Sequence, residues 1–183
     1  MSSKLSLRSR VLVFDVESNG LHGDGFAVGA VVINLESGEI LDRFEARANI
    51  PGEVDSWVAE NVLPNLEGMD ITHDNLTDLR TAFWTWFQTA KEDSLIFADV
   101  GVPVESRFLA ACIDDAVEER QWGGPYPLHE VATILLAAGE NPDVNREEYV
   151  ADEITDRTVR KHHPTWDSEV SALSLRKASM KLK

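Results

Sequence analysis

The segment Val11-Leu12-Val13-Phe14-Asp15-Val16-Glu17-Ser18-Asn19-Gly20-Leu21 constrains this chain more than any other. Its apolar run predicts a buried β-strand, and Asn19-Gly20 predicts the turn that ends it. Side chains alternate along a strand. Asp15 and Glu17 therefore project to one face, and Phe14 and Val16 to the other, into a core. Two like charges side by side at a strand end repel each other. A bound cation offsets that repulsion, and hard divalent ions prefer carboxylate oxygen. A lone D-x-E after a strand is more simply a strand that turns polar where it meets solvent. Acids further along the chain shift that balance.

The elements that follow suit an α/β domain. Phe26 to Asn34 reads as a second strand and Ile40 to Ala48 as a third, with short turns between them. Consecutive strands so closely linked predict an antiparallel three-strand meander. Pro51-Gly52 ends the strand pattern, and Val54 to Val62 places Trp57, Val58 and Val62 at helical spacing. Leu76 to Ala90 predicts an aromatic amphipathic helix through Leu76, Leu79, Phe83, Trp84, Trp86 and Phe87. One buried stripe accounts for these rings better than a base-stacking platform does. Ser94 to Ala98 reads as a fourth strand, Pro103 to Val117 and Leu128 to Ala138 as helices, and Ser168 to Met180 as the last helix. Asn141 to Thr158 is polar and predicts loop with a short helix. Strands first, then alternating helices and strands, give a mixed sheet flanked by helices.

Further acids fall at element boundaries. Glu105 shares a helical face with Phe108, Leu109 and Cys112. A carboxylate on an apolar face is costly unless it is paired or bound to metal. The simpler reading is that Glu105 complements the helix dipole. Asp167 opens the last helix, where capping is its ordinary role, and His162 precedes it by five positions.

Together these segments resemble the DEDDh 3′→5′ exonucleases of the ribonuclease H-like superfamily. Phe14 to Leu21 is similar to that family's first motif, F-D-x-E-[TS]-x-G-L. Val104-Glu105-Ser106-Arg107-Phe108-Leu109 is similar to the second, F-D-x-x-F-L, with Glu where the family usually has Asp. His162 to Asp167 matches the third, H-x-x-x-x-D, including Pro164 two residues after the His. Trp57 to Pro64 is also similar to small stand-alone bacterial and phage exoribonucleases of this group.

The resemblance implies the ribonuclease H-like fold and a hydrolase that shortens single-stranded RNA or DNA from the 3′ end. Asp15, Glu17 and Asp167 would hold one divalent ion, Mg²⁺ or Mn²⁺, with Asp15 bridging to a second. Glu105 would take the fourth acid's place through a bound water. His162 would be the general base, a task suited to an imidazole at neutral pH. Ser18, Asn19, Gly20 and Leu21 would approach the terminal nucleotide. Leu21 and Trp166 could wedge against bases or equally be core. Asp99 competes with Glu105, but only Glu105 has Arg107-Phe108-Leu109 in the expected places. His163 competes with His162, and the spacing to Pro164 and Asp167 favours His162. His22, His73 and His129 have no ligand-like spacing and read as surface or structural residues.

The chain of 183 residues, 43% hydrophobic, fits one domain over residues 1–183 with basic ends at about 1–8 and 177–183. Its formal net charge of −15 argues against a broad phosphate-binding surface and against anionic membranes. The few cations cluster at Lys4, Arg8 and Arg10, and at Arg160, Lys161, Arg176, Lys177, Lys181 and Lys183. They are either solvated or the only positive surface open to a polyanion. A single Cys112, no membrane-length apolar run and no signal-peptide core at the N-terminus point to a cytoplasmic protein. The competing class is a retired, non-catalytic binding or assembly module of the same fold. Retention of the acids and a His argues against it, because unbound acids repel.

Overall fold

The computed structural model describes residues 9–154 and 162–182. β1 (Arg10–Ser18) lies at the centre of a sheet ordered β3-β2-β1-β4-β5. β2 (Gly25–Asn34) pairs antiparallel with β1, placing Asp15 opposite Gly29, and β3 (Ile40–Arg47) pairs antiparallel with β2. β4 (Leu95–Ala98) and β5 (His129–Glu130) extend the sheet in parallel. This is the expected mixed sheet, a three-strand meander plus parallel strands.

The two faces of the sheet carry separate cores. Leu12, Phe14 and Val16 of β1 join Val28, Ala30 and Val32 of β2 under α2 (Leu76–Ala90) and α3 (Val104–Asp114). Phe83 is the hub of that core, with ring centroids 5.8 Å from Phe14, 5.6 Å from Phe87 and 5.2 Å from Phe108. Each fully buried large side chain contributes about 1.5–3 kcal/mol. The aromatic residues of α2 are therefore core, as their single stripe predicts. On the other face Val11, Val13, Val31 and Ile33 pack against Ala172, Leu175 and Ala178 of α7 (Pro164–Lys181). Asp15 and Glu17 continue the Val11-Val13 row, so they fall on the α7 face of the sheet.

Several expectations are corrected. The helix expected over Leu128 to Ala138 begins only at Val131, as α5 (Val131–Ala137). Its first residues, His129 and Glu130, are drawn into the edge strand β5 by pairing with Phe97 and Ala98. The helix expected to reach Val117 ends at Asp114, and α4 (Val117–Arg120) follows separately. Pro103 is the residue before α3 and not part of its first turn. The last helix starts at Pro164, four positions before the expected Ser168, so Asp167 sits in its first turn and does not cap it. The short helix α1 (Ser56–Asn61), shorter than the helical spacing over Val54 to Val62 predicts, buries Val58 but leaves Trp57 54% exposed. A 3₁₀ turn at Leu63–Leu66 follows, with Pro64 among its first residues.

Two findings bear on charge. Arg176, Lys177 and Lys181 are ion-paired with Glu153, Asp152 and Glu140, so they tie the segment around α6 (Arg146–Tyr149) to α7. They offer no open positive track. Arg10 donates to Ser94 Oγ, while Lys4, Arg8, Arg160, Lys161 and Lys183 lie outside the described residues. Among the described residues no helix is long and apolar enough to cross a membrane.

Candidate active site

β1 delivers Asp15 and Glu17 to the carboxyl end of the sheet, and the first turn of α7 delivers Asp167 beside them. The backbone N–H of Asp167 donates to His163 O at 2.9 Å, closing that turn. One donor atom each from Glu17, His162 and Asp167 lies within 4.8 Å of the others. His162 Nδ1 is 3.5 Å from Glu17 Oε1. His162 holds a left-handed backbone, φ 61°, directly before α7. That conformation is uncommon for a residue with a side chain and marks a position under local constraint.

These groups line a cleft of about 370 Å³ with Asp99 and Glu147. Its electrostatics follow from acids gathered away from water. Burial raises the Asp15 carboxyl well above the ordinary range, and the neighbouring charges of Glu17, Asp167, Glu105 and Asp99 add to it. Asp167 is pushed up to about 7, by burial first and then by Glu17, with Glu147 adding a smaller push. Glu105 is pushed up to about 7, chiefly by burial, although backbone N–H groups, including that of Val16, favour its charged form. Burial and mutual repulsion thus make these carboxyls harder to ionise than free ones. An oxygen-rich donor set of this kind suits a hard divalent cation.

Asp99 and Glu105 differ in their partners. Asp99 lines the cleft and accepts from Arg146 Nε at 2.8 Å. Arg146 also donates to the carbonyls of Val144 and Pro142, so its guanidinium is fully engaged. Glu105 is 8% exposed on the face it shares with the buried Phe108, Leu109 and Cys112, and forms no ion pair among the described residues. His163 is turned toward Glu45, 4.0 Å away, with its Nδ1 buried and without a hydrogen-bond partner among the described residues.

The turn after β1 is tied to His162 by a chain of contacts. Gly20 takes φ +78°, which a side chain at that position would resist. Ser18 Oγ donates to Gly20 O. Asn19 Nδ2 donates to Glu53 O, and Asn19 Oδ1 accepts from Asp55 N–H at 2.8 Å. The Asp55 side chain in turn caps α1 by accepting from the N–H of Trp57 and Val58. The Trp57 ring then meets His162 edge-on, with centroids 5.5 Å apart. Leu21 is 62% exposed at the same turn and so is not core. Trp166 donates its indole N–H to Glu147 Oε1 at 2.6 Å.

Sequence reasoning missed Trp57's place beside His162, and with it Arg146 and Glu147. A tryptophan at the first turn of a short helix reads locally as core. Arg146 and Glu147 belong to a four-residue helix in a polar segment with no periodicity to flag them. His22 is exposed, His73 Nδ1 lies 2.9 Å from Thr72 Oγ1, and the His129 ring tilts against Phe97, all outside the cleft.

The architecture defines a ribonuclease H-like α/β protein with an acidic cleft at the sheet's carboxyl end. Among solved structures it is similar to the nuclease domain of 3′hExo, a DEDDh family member, bound to rAMP. The TM-score is 0.68 at 14% identity, over 96% of this chain and 94% of that one. It is also similar to a complex showing 3′-end specific recognition of histone mRNA stem-loop by 3′-exonuclease. There the TM-score is 0.62 at 12% identity, over 96% of this chain and 82% of that one. Exonuclease X in complex with 5′ overhanging duplex DNA gives a TM-score of 0.58 at 13% identity, over 93% and 91%. No family model matches the chain, and no curated protein sequence matches it. Identities this low establish a shared fold.

Proposed function

We propose that the protein is a 3′→5′ exonuclease that uses divalent metal to hydrolyse single-stranded RNA or DNA to nucleoside 5′-monophosphates. The observation that carries this reading is the convergence of Asp15, Glu17, Asp167 and His162, from two distant segments, in one cleft. The likeness to exonuclease folds supports it.

Asp15, Glu17 and Asp167 would hold one Mg²⁺ or Mn²⁺, with Asp15 shared with a second. Glu105 would serve as the fourth acid. Asp99 is already compensated by Arg146, whereas Glu105 forms no ion pair among the described residues, so Glu105 is the better candidate. When bound, such ions make a water a stronger nucleophile and neutralise charge on the leaving 3′ oxygen. The His162 imidazole accepts the proton of the attacking water, and Glu17, 3.5 Å from its Nδ1, stabilises the imidazolium that results. The Ser18–Leu21 turn, held by Asn19 against Asp55, presents its backbone and the exposed Leu21 to the terminal nucleotide. Trp57 stands against the His162 ring, and Glu147 in the cleft wall is held by Trp166.

The test is cleavage of 5′-labelled single-stranded RNA and DNA with Mg²⁺ and with Mn²⁺. The labelled strand should shorten stepwise, and a blocked 3′ end should resist. Cutting within a circular strand would make the protein an endonuclease. Absence of any cleavage, together with a melting curve indifferent to metal, would leave the retired binding module as the reading.

A further inference from the structure

We propose that Gly29 is a positioning residue that sets how closely Asp167 approaches Asp15. This rests on the metal-site reading above. Gly29 stands directly opposite Asp15 in the β1–β2 ladder, on the face that receives α7. A Cβ placed on Gly29 would lie 2.1 Å from Thr165 N and 2.3 Å from Pro164 C. Both are backbone atoms of the first turn of α7, so no side-chain rotation could relieve the clash. The absence of a side chain at one sheet position is therefore what lets this turn rest on the strand. Asp167 belongs to the same turn, and its N–H is bonded within it.

A second contact fixes the approach. Ser168, fully buried, donates its hydroxyl to Gly29 O at 2.9 Å. Strand and helix are thus joined at the residue next to Asp167, by a hydrogen bond to the residue opposite Asp15. Adding a methyl at residue 29 would push the turn outward by about 1 Å, a displacement of the size that costs roughly 10²-fold where groups must converge. Val31, two residues on and facing the same way, packs against α7 further along its length. Trimming it would loosen the packing there without displacing the first turn.

The experiment measures Mn²⁺ affinity by calorimetry, alongside melting temperature and kcat, in wild type, Gly29→Ala, Ser168→Ala and Val31→Ala. Gly29→Ala should weaken Mn²⁺ binding by about 10–100-fold, the range seen when residues that orient ligands are changed. Its kcat should fall with the affinity. Ser168→Ala should weaken binding by a few-fold, and Val31→Ala should lower the melting temperature with unchanged Mn²⁺ affinity. If Gly29→Ala does not fold, Ser168→Ala decides, and wild-type affinity in that variant overturns the proposal. Equal Mn²⁺ affinity in Gly29→Ala and wild type overturns it as well. So does a loss in Val31→Ala that matches the loss in Gly29→Ala. Failure of wild type to bind Mn²⁺ would instead refute the metal site itself.

Discussion

Raising the pH should destabilise this protein when divalent ions are withheld. Burial, then the charge of Glu17, raises Asp167 from 3.8 to about 7. Burial raises Glu105 from 4.5 to about 7. A carboxyl whose folded pKa exceeds its unfolded value binds its proton more tightly in the native state. The stability it contributes is complete below the unfolded pKa and is lost as pH rises through the folded one. At about 1.4 kcal/mol per pKa unit, Asp167 accounts for about 4 kcal/mol and Glu105 for about 3 kcal/mol. Their protons belong to one interacting cluster, so the two do not add. The expected loss between about pH 4 and pH 8 is therefore on the order of 3–4 kcal/mol. In a domain of this size about 1 kcal/mol moves Tm by roughly 2–4 °C, so Tm should fall by about 6–16 °C. The assay is thermal melting by circular dichroism in EDTA across that range, with Asp167→Asn in parallel. Asparagine does not ionise, so the variant should lose much of the slope. Excess Mn²⁺ replaces the bound protons, and the stabilisation it gives should grow with pH. A metal-free Tm that is flat or rises with pH would refute the reasoning, as would an undiminished slope in Asp167→Asn.

Divalent ion should raise the wild-type Tm by binding the native state, and Asp15→Asn should abolish most of that gain, read by melting with and without millimolar Mn²⁺. His162→Ala should lower kcat by about 10²–10⁴-fold, leaving Mn²⁺-induced stabilisation nearly intact, while His163→Ala should do much less. If His163→Ala were the inactive variant, the general base would be the neighbouring residue. Arg146→Ala strands the Asp99 carboxylate and two backbone carbonyls, and should cost about 2 kcal/mol in a urea titration.

Much of this protein was legible in its residues because the signals are local. The period of two along Val11 to Glu17 placed Asp15 and Glu17 together on one face of a strand, as β1 has them. Helical spacing set Leu76–Ala90 as an aromatic core helix with the same ends in the structure. It also put Glu105 on the buried face of α3. The motif spacing singled out His162 and Asp167, which the fold brings to the same cleft. What tertiary structure alone decided depends on contacts between residues far apart in the chain. Strand β5 is two residues long and exists only through its pairing with β4, so no local pattern announces it. Trp57 projects from α1 and meets the ring of His162, from the far end of the chain, a contact no local pattern announces. Asp99 acquires its partner from Arg146, and the basic residues of α7 are committed to acids of the preceding segment. Gly29 reads in sequence as one small residue in a valine-rich strand. Its consequence emerges only where α7 crosses it, because only there does a missing side chain set the distance between two carboxylates.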